Sequence, residues 1–137
     1  MFIDHIGIAV DNLETAVKTY EQLLNTSCYK REVVESEKIE TAFLRAGESK
    51  IELLASLHSD SVLARFLKKK GEGIHHIAFE VDNIEYEIHR LKKLGFEVIH
   101  DTPKKGADNK RIVFLHPNSN HGVLVELCES LEEPEEE

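Results

Sequence analysis

The hydrophobic and polar positions of this chain spell one pattern twice. Residues 2–10, FIDHIGIAV, are rich in Ile and Val and predict a strand. In DNLETAVKTYEQLL, which follows, Leu13, Val17, Tyr20 and Leu24 recur on one helical face. Asp11 with Glu14 three positions later makes an Asp-based analogue of a capping box. A polar strand over CYKREVVESEK and two short apolar strands, IETAFLRAG and SKIELLAS, complete a β-α-β-β-β run. SDSVLARFLKKKGEG predicts a connecting helix. Caps are available from Ser59 to Ser61, Val62, Leu63, Phe66 and Leu67 form its face, and Gly71 stops it behind three dipole-complementing lysines.

The order then repeats. GIHHIAFEV predicts a strand, and DNIEYEIHRLKKLG a helix with Asp82 and Glu85 in the same capping relation and Ile84, Ile88 and Leu91 on one face. FEVIHDTP, KRIVFLHP and GVLVELCE predict three more strands, and SLEEPEEE is a solvated acidic run expected to fray. A shift of 71 residues maps Ile3 to Ile74, His5 to His76, Ile6 to Ile77, Val10 to Val81, Asp11 to Asp82, Asn12 to Asn83 and Glu14 to Glu85. It also maps AFL (42–44) onto VFL (113–115), and a shift of 74 then maps Glu52 to Glu126. The period is too long for a solenoid, so a duplicated module is the simpler explanation. The expected fold class is α+β: two tandem βαβββ modules in one domain over 1–129, with module 1 about 1–57, a linker helix about 59–71, module 2 about 73–129, and an acidic tail at 130–137.

Composition narrows the function. The 137 residues suit one domain, and 41% hydrophobic with 31% charged residues is ordinary for a globular protein. A net charge of -9 leaves no general basic face, so neither nucleic acid nor an anionic membrane is an expected partner. No apolar run is long enough to span a bilayer, and MFIDHIGIAV lacks the basic and apolar regions of a signal peptide. Cys28 and Cys128 read as two reduced thiols, which points to the cytoplasm.

The chemistry sits in the repeat. His5 with His76, and Glu52 with Glu126, are polar groups at equivalent positions inside apolar strands. Each would cost about a few kcal/mol if buried without a partner. Two imidazoles and two carboxylates converging on one point would bind a divalent cation such as Co, Ni, Mn, Fe or Zn, in a mixed N/O site rather than a thiolate-rich one. His75 faces away from His76 by strand alternation, and its repeat partner is Asp4. His58, His89, His100, His116 and His121 lack repeat partners of the same type and read as solvent or packing residues.

IDHIGIAV, KIELL, GEGIHHIAFEVDNI and KKGADNKRIVFLHPNSNHGVLVEL together resemble the methylmalonyl-CoA epimerases of the vicinal oxygen chelate superfamily, over about residues 2–128. The resemblance implies a curved mixed sheet around a metal, with His5, Glu52, His76 and Glu126 as ligands and cobalt or manganese as the ion. It also implies a homodimer that interconverts the (2R) and (2S) isomers of methylmalonyl-CoA. Epimerisation calls for a proton-transfer group on each side of the α-carbon, and Glu126 is one candidate. Some relatives carry the second, a Glu, where Thr41 stands here. Glu40, one residue earlier, can serve only if a bulge turns it inward. Lys104, Lys105, Lys110 and Arg111 form a basic cluster suited to the anionic end of a CoA thioester, and Asn118 and Ser119 lie in a loop placed to meet the substrate carboxylate. Two other readings compete: a glyoxalase I-like lyase with the same ligands, and a metal-free small-ligand binding protein, which the intact His/Glu set argues against.

Overall fold

The computed structural model describes residues 1–131. The elements run β1 (Phe2–Ala9), α1 (Leu13–Leu24), β2 (Lys30–Val34), β3 (Ile39–Ala46), β4 (Ser49–Ser56), α2 (Val62–Lys70) and β5 (Gly73–Glu80), then α3 (Ile84–Lys93), β6 (Lys104–Lys105), β7 (Lys110–Leu115) and β8 (Val125–Ser130). This is βαβββ twice, joined by α2, as the repeat predicts. The tail expected over 130–137 lies, from residue 132 on, outside the described residues.

The chain forms two compact units, residues 3–77 and residues 1–2 with 78 onward. In the first, the strand order is β2-β3-β4-β1-β5. β2, β3 and β4 form an antiparallel meander, and β1 lies parallel to β4. One sheet face, carrying Ile8, Val10, Ala42, Leu44, Leu53 and Ala55, packs against Leu13 and Val17 of α1. α1 is amphipathic, so it can cover one face only. The opposite face carries Ala9 and Leu54, which pack under Leu63 of α2. By strand alternation this second face also bears His5, Gly7, Thr41, Phe43 and Glu52.

The second unit repeats the plan with strand order β5-β8-β7-β6. Ile84, Ile88 and Leu91 of α3 pack on Val113, Leu115 and Leu127, while Ala78, Ile112 and Cys128 cluster on the other face. The two hairpins match in detail: Phe43 lies opposite Glu52 across β3 and β4, and Phe114 lies opposite Glu126 across β7 and β8.

Three local expectations are corrected. The helix caps are Asn12 and Asn83, not Asp11 and Asp82. Each Asn side chain accepts the backbone N–H three residues on, from Thr15 (3.0 Å) and Tyr86 (2.9 Å), so each helix starts one residue later. The strand expected over FEVIHDTP shrinks to a single bridge between Val98 and Leu115, and the two-residue β6 begins only beyond it, at Lys104. Pro103 lacks the N–H a ladder needs. The last strand starts at Val125, after a turn with Gly122 at φ +88.

The second unit is tied by an inward ion pair. The Lys110 ammonium, 8% exposed, donates to Glu80 (2.8 Å) and to the Ser130 hydroxyl (2.7 Å). Glu80 also accepts from the Ser130 backbone N–H (3.0 Å). Burial alone would raise the Glu80 carboxyl, but Lys110 and Ser130 outweigh it and hold it below the usual 4.5. Glu80→Gln is expected to cost about 3 kcal/mol at pH 7 by urea unfolding, because it removes the Glu80 counter-charge from a buried ammonium. The folded value is depressed, so the contribution is complete above pH 4.5 and fades as pH falls through the folded value. Parent and variant should therefore converge in stability in that acid window.

Candidate metal centre

His5 on β1, Glu52 on β4 and His76 on β5 meet inside the first unit, each at most 5% exposed. The two Nε2 atoms are 3.1 Å apart. Glu52 Oε1 is 3.4 Å from His5 Nε2 and 3.3 Å from His76 Nε2. β1 and β4 place His5 and Glu52 on the face that α1 does not cover. Gly7, opposite Glu52 in register, supplies the room: a Cβ at Gly7 would overlap the His76 ring. Phe43 stands edge-on to His5 with ring centres 6.3 Å apart, giving the cluster an apolar wall.

The electrostatics favour a cation. Burial would raise the Glu52 carboxyl, but the His5 and His76 rings outweigh it and hold it down to about 2, so Glu52 is ionised. His5 Nδ1 donates to the Asp4 carboxylate at 2.7 Å, and Lys50 Nζ donates to the other Asp4 oxygen at 3.1 Å. With Nδ1 held by Asp4, His5 turns its Nε2 toward Glu52. Donor atoms around one ion at about 2.1 Å lie about 3.0 Å apart in octahedral and about 3.4 Å apart in tetrahedral geometry. The three measured separations fall at or between those values, so the residues fit a divalent ion.

The remaining sequence-derived candidates are placed as follows. Glu126 is a buried β8 residue, 5% exposed, in the second unit. Glu40 stays on the α1-covered face: the β3 register runs unbroken from Ile39 to Ala46, with no bulge, and Arg31 bridges Glu40 (3.4 Å) to Glu14 of α1 (2.6 Å). The bulge its catalytic role required is absent. Thr41, fully buried, takes the Glu52 face, and its Oγ1 has no hydrogen-bond partner among the described residues. Lys104 and Lys105 are exposed on β6. Lys110 turns inward to Glu80, and Arg111 is held by Glu85 and Glu129, so neither presents the open cation expected of it. Asn118 and Ser119 sit in the turn Pro117–Asn120, where Ser119 Oγ accepts the Glu97 N–H at 2.8 Å.

Sequence reasoning missed Asp4, Gly7 and the part played by His75. His75 does not simply face away: its Nδ1 lies 2.9 Å from His76 Nδ1, and its ring stands edge-on to Phe66 of α2 at 4.8 Å. Burial first, then the neighbouring His76, pushes His75 down to about 4. The available signal was the pairing of Asp4 with His75 under the same 71-residue shift that pairs His5 with His76.

The sequence profile of the glyoxalase/bleomycin resistance protein/dioxygenase superfamily matches residues 4–114. The human mitochondrial methylmalonyl-CoA epimerase is 39% identical over 126 residues, covering 91% of this chain and 72% of that protein. The crystal structure of the Mycobacterium tuberculosis methylmalonyl-CoA epimerase superposes with a TM-score of 0.91 at 34% identity, covering 96% of this chain and 89% of that one. A Streptomyces coelicolor methylmalonyl-CoA epimerase variant in complex with 2-nitronate-propionyl-CoA gives 0.90 at 36% identity, covering 96% and 97%.

Gly7→Ala should displace the His76 ring and lower Co(II) affinity at least about tenfold, since ring orientation controls ligation. Competition against a chromophoric chelator would measure it, with circular dichroism verifying the fold. An unchanged affinity would mean that the His76 ring does not need the space Gly7 leaves.

Proposed function

Because the chain belongs to the glyoxalase/bleomycin resistance protein/dioxygenase superfamily, we propose that it is an epimerase interconverting (2R)- and (2S)-methylmalonyl-CoA by removal and return of the α-proton. The observation that carries the reading is the convergence of two imidazole Nε2 atoms and an ionised carboxylate within 3.4 Å.

The α-proton lies between a thioester and a carboxylate. Taking it as a proton leaves the C–H electron pair delocalised onto the thioester oxygen as an enolate. A divalent ion, cobalt or manganese first and zinc, nickel or iron next, supplies Lewis-acid stabilisation where that charge develops. His5, Glu52 and His76 would hold the ion, with Glu126 as the fourth ligand on the sequence equivalence of Glu52 and Glu126. Both modules accordingly serve one domain over 1–129. Glu126 is also the first proton-transfer group. Phe43 keeps water from the His5 side of the cluster and lowers the local dielectric.

The unbroken β3 register, which keeps Glu40 on the face away from Glu52, argues against it as the second group. The buried polar side chain that β3 offers on the Glu52 face is Thr41. A threonine hydroxyl is too weak a base to take the α-proton. It suits a hydrogen bond that orients the substrate or a proton-carrying water. Lys104 and Lys105 supply positive charge for the phosphates of CoA, and Asn118 and Ser119 meet the acyl carboxylate. We place the enzyme in the cytoplasm as a homodimer.

The test follows deuterium at C2, together with isomer composition, for (2R)-methylmalonyl-CoA in D₂O. EDTA should abolish exchange, and cobalt should restore it with formation of the (2S) isomer. Exchange absent from the cobalt-loaded protein would remove the epimerase reading, and turnover of a glutathione hemithioacetal would put a glyoxalase I-type lyase in its place. Thr41→Val should lower kcat about tenfold, the worth of one hydrogen bond of about 1.4 kcal/mol, with KM little changed.

A further inference from the structure

We infer that Asp4 and His75 are a matched pair of positioning residues, placed at the same point of both repeats, each fixing the tautomer and direction of the ligand histidine that follows it. The inference rests on reading His5 and His76 as metal ligands. The shift that maps His5 to His76 also maps Asp4 to His75. Adjacent strand residues send their side chains to opposite faces, so neither contact follows from strand geometry alone. Both are nevertheless made: Asp4 Oδ2 to His5 Nδ1 at 2.7 Å, and His75 Nδ1 to His76 Nδ1 at 2.9 Å.

The chemical consequence is the same in both repeats. Each ligand histidine has its Nδ1 held from behind, and its Nε2 is the atom at the cluster. A carboxylate accepts only, so the proton between Asp4 and His5 resides on His5 Nδ1. Of the two facing nitrogens of His75 and His76, one carries the hydrogen. Placing it on His76 leaves His76 Nε2 with its lone pair toward Glu52 and makes His75 the acceptor. Each partner is itself anchored. Lys50 compensates the buried Asp4 charge at 3.1 Å, and Phe66 of α2 packs edge-on against His75. The two supports differ in strength: a carboxylate makes its imidazole a better donor than a neutral ring does, so His5 is the stronger ligand of the two.

The test is Co(II) affinity by chelator competition, with folding checked by circular dichroism and imidazole N–H resonances read by proton NMR on the Zn(II)-loaded protein. His75→Phe keeps a ring against Phe66 but removes the acceptor, and should weaken Co(II) binding about 10- to 100-fold and lose the protected His76 N–H resonance. His75→Asp rebuilds the Asp-His pair of the first repeat and should bind Co(II) at least as tightly as the parent. Asp4→Asn should weaken binding about tenfold. A folded His75→Phe protein with parental affinity would overturn the inference, and so would a His75→Asp protein as weak as His75→Phe. If the parent itself takes up no stoichiometric Co(II), the metal reading falls and this inference falls with it. Parental binding with indifferent variants removes the positioning roles alone.

Discussion

Two imidazole nitrogens and an ionised carboxylate oxygen sit within 3.4 Å of one another, buried in the first unit. Such a group is costly unless positive charge sits among its members. The surroundings keep the three together. Gly7 clears the backbone of β1 so that the His76 ring can lie against it. α1 covers the other sheet face, leaving this one for chemistry. Phe43 walls the cluster on the His5 side.

Duplication explains why so short a chain can hold such a group. One βαβββ module provides a histidine in its first strand and a glutamate in its last, the glutamate opposite a phenylalanine across the final hairpin. The copies have diverged where a role needs to differ. The residue before the repeated histidine is an acid in one, Asp4, and an imidazole in the other, His75.

The fold was legible because its signals were periodic and repeated. Leu13, Val17, Ile84, Ile88 and Leu91 are buried as their spacing required. The meeting of His5, Glu52 and His76 was legible because symmetry singled out polar residues in apolar strands. What stayed hidden depended on contacts that sequence spacing does not encode. Asp4 and His75 bond to their neighbours against the direction strand alternation suggests. Gly7 matters through a ring 69 residues away in sequence. Lys110 reads as a surface cation within KKGADNKR, yet it turns inward to Glu80 because β7 pairs with β8 in a register that buries it. Strand alternation set Glu40 and Thr41 on opposite faces, and only the unbroken β3 register showed that no bulge turns Glu40 inward.

The most direct measurement is X-ray absorption at the cobalt edge on protein loaded with Co(II), together with the metal content per chain. The account predicts one ion per chain with two imidazole ligands and oxygen donors, all at about 2.1 Å. Substoichiometric metal, or a cobalt spectrum without imidazole scattering, would contradict the claim that His5, Glu52 and His76 converge to hold a cation.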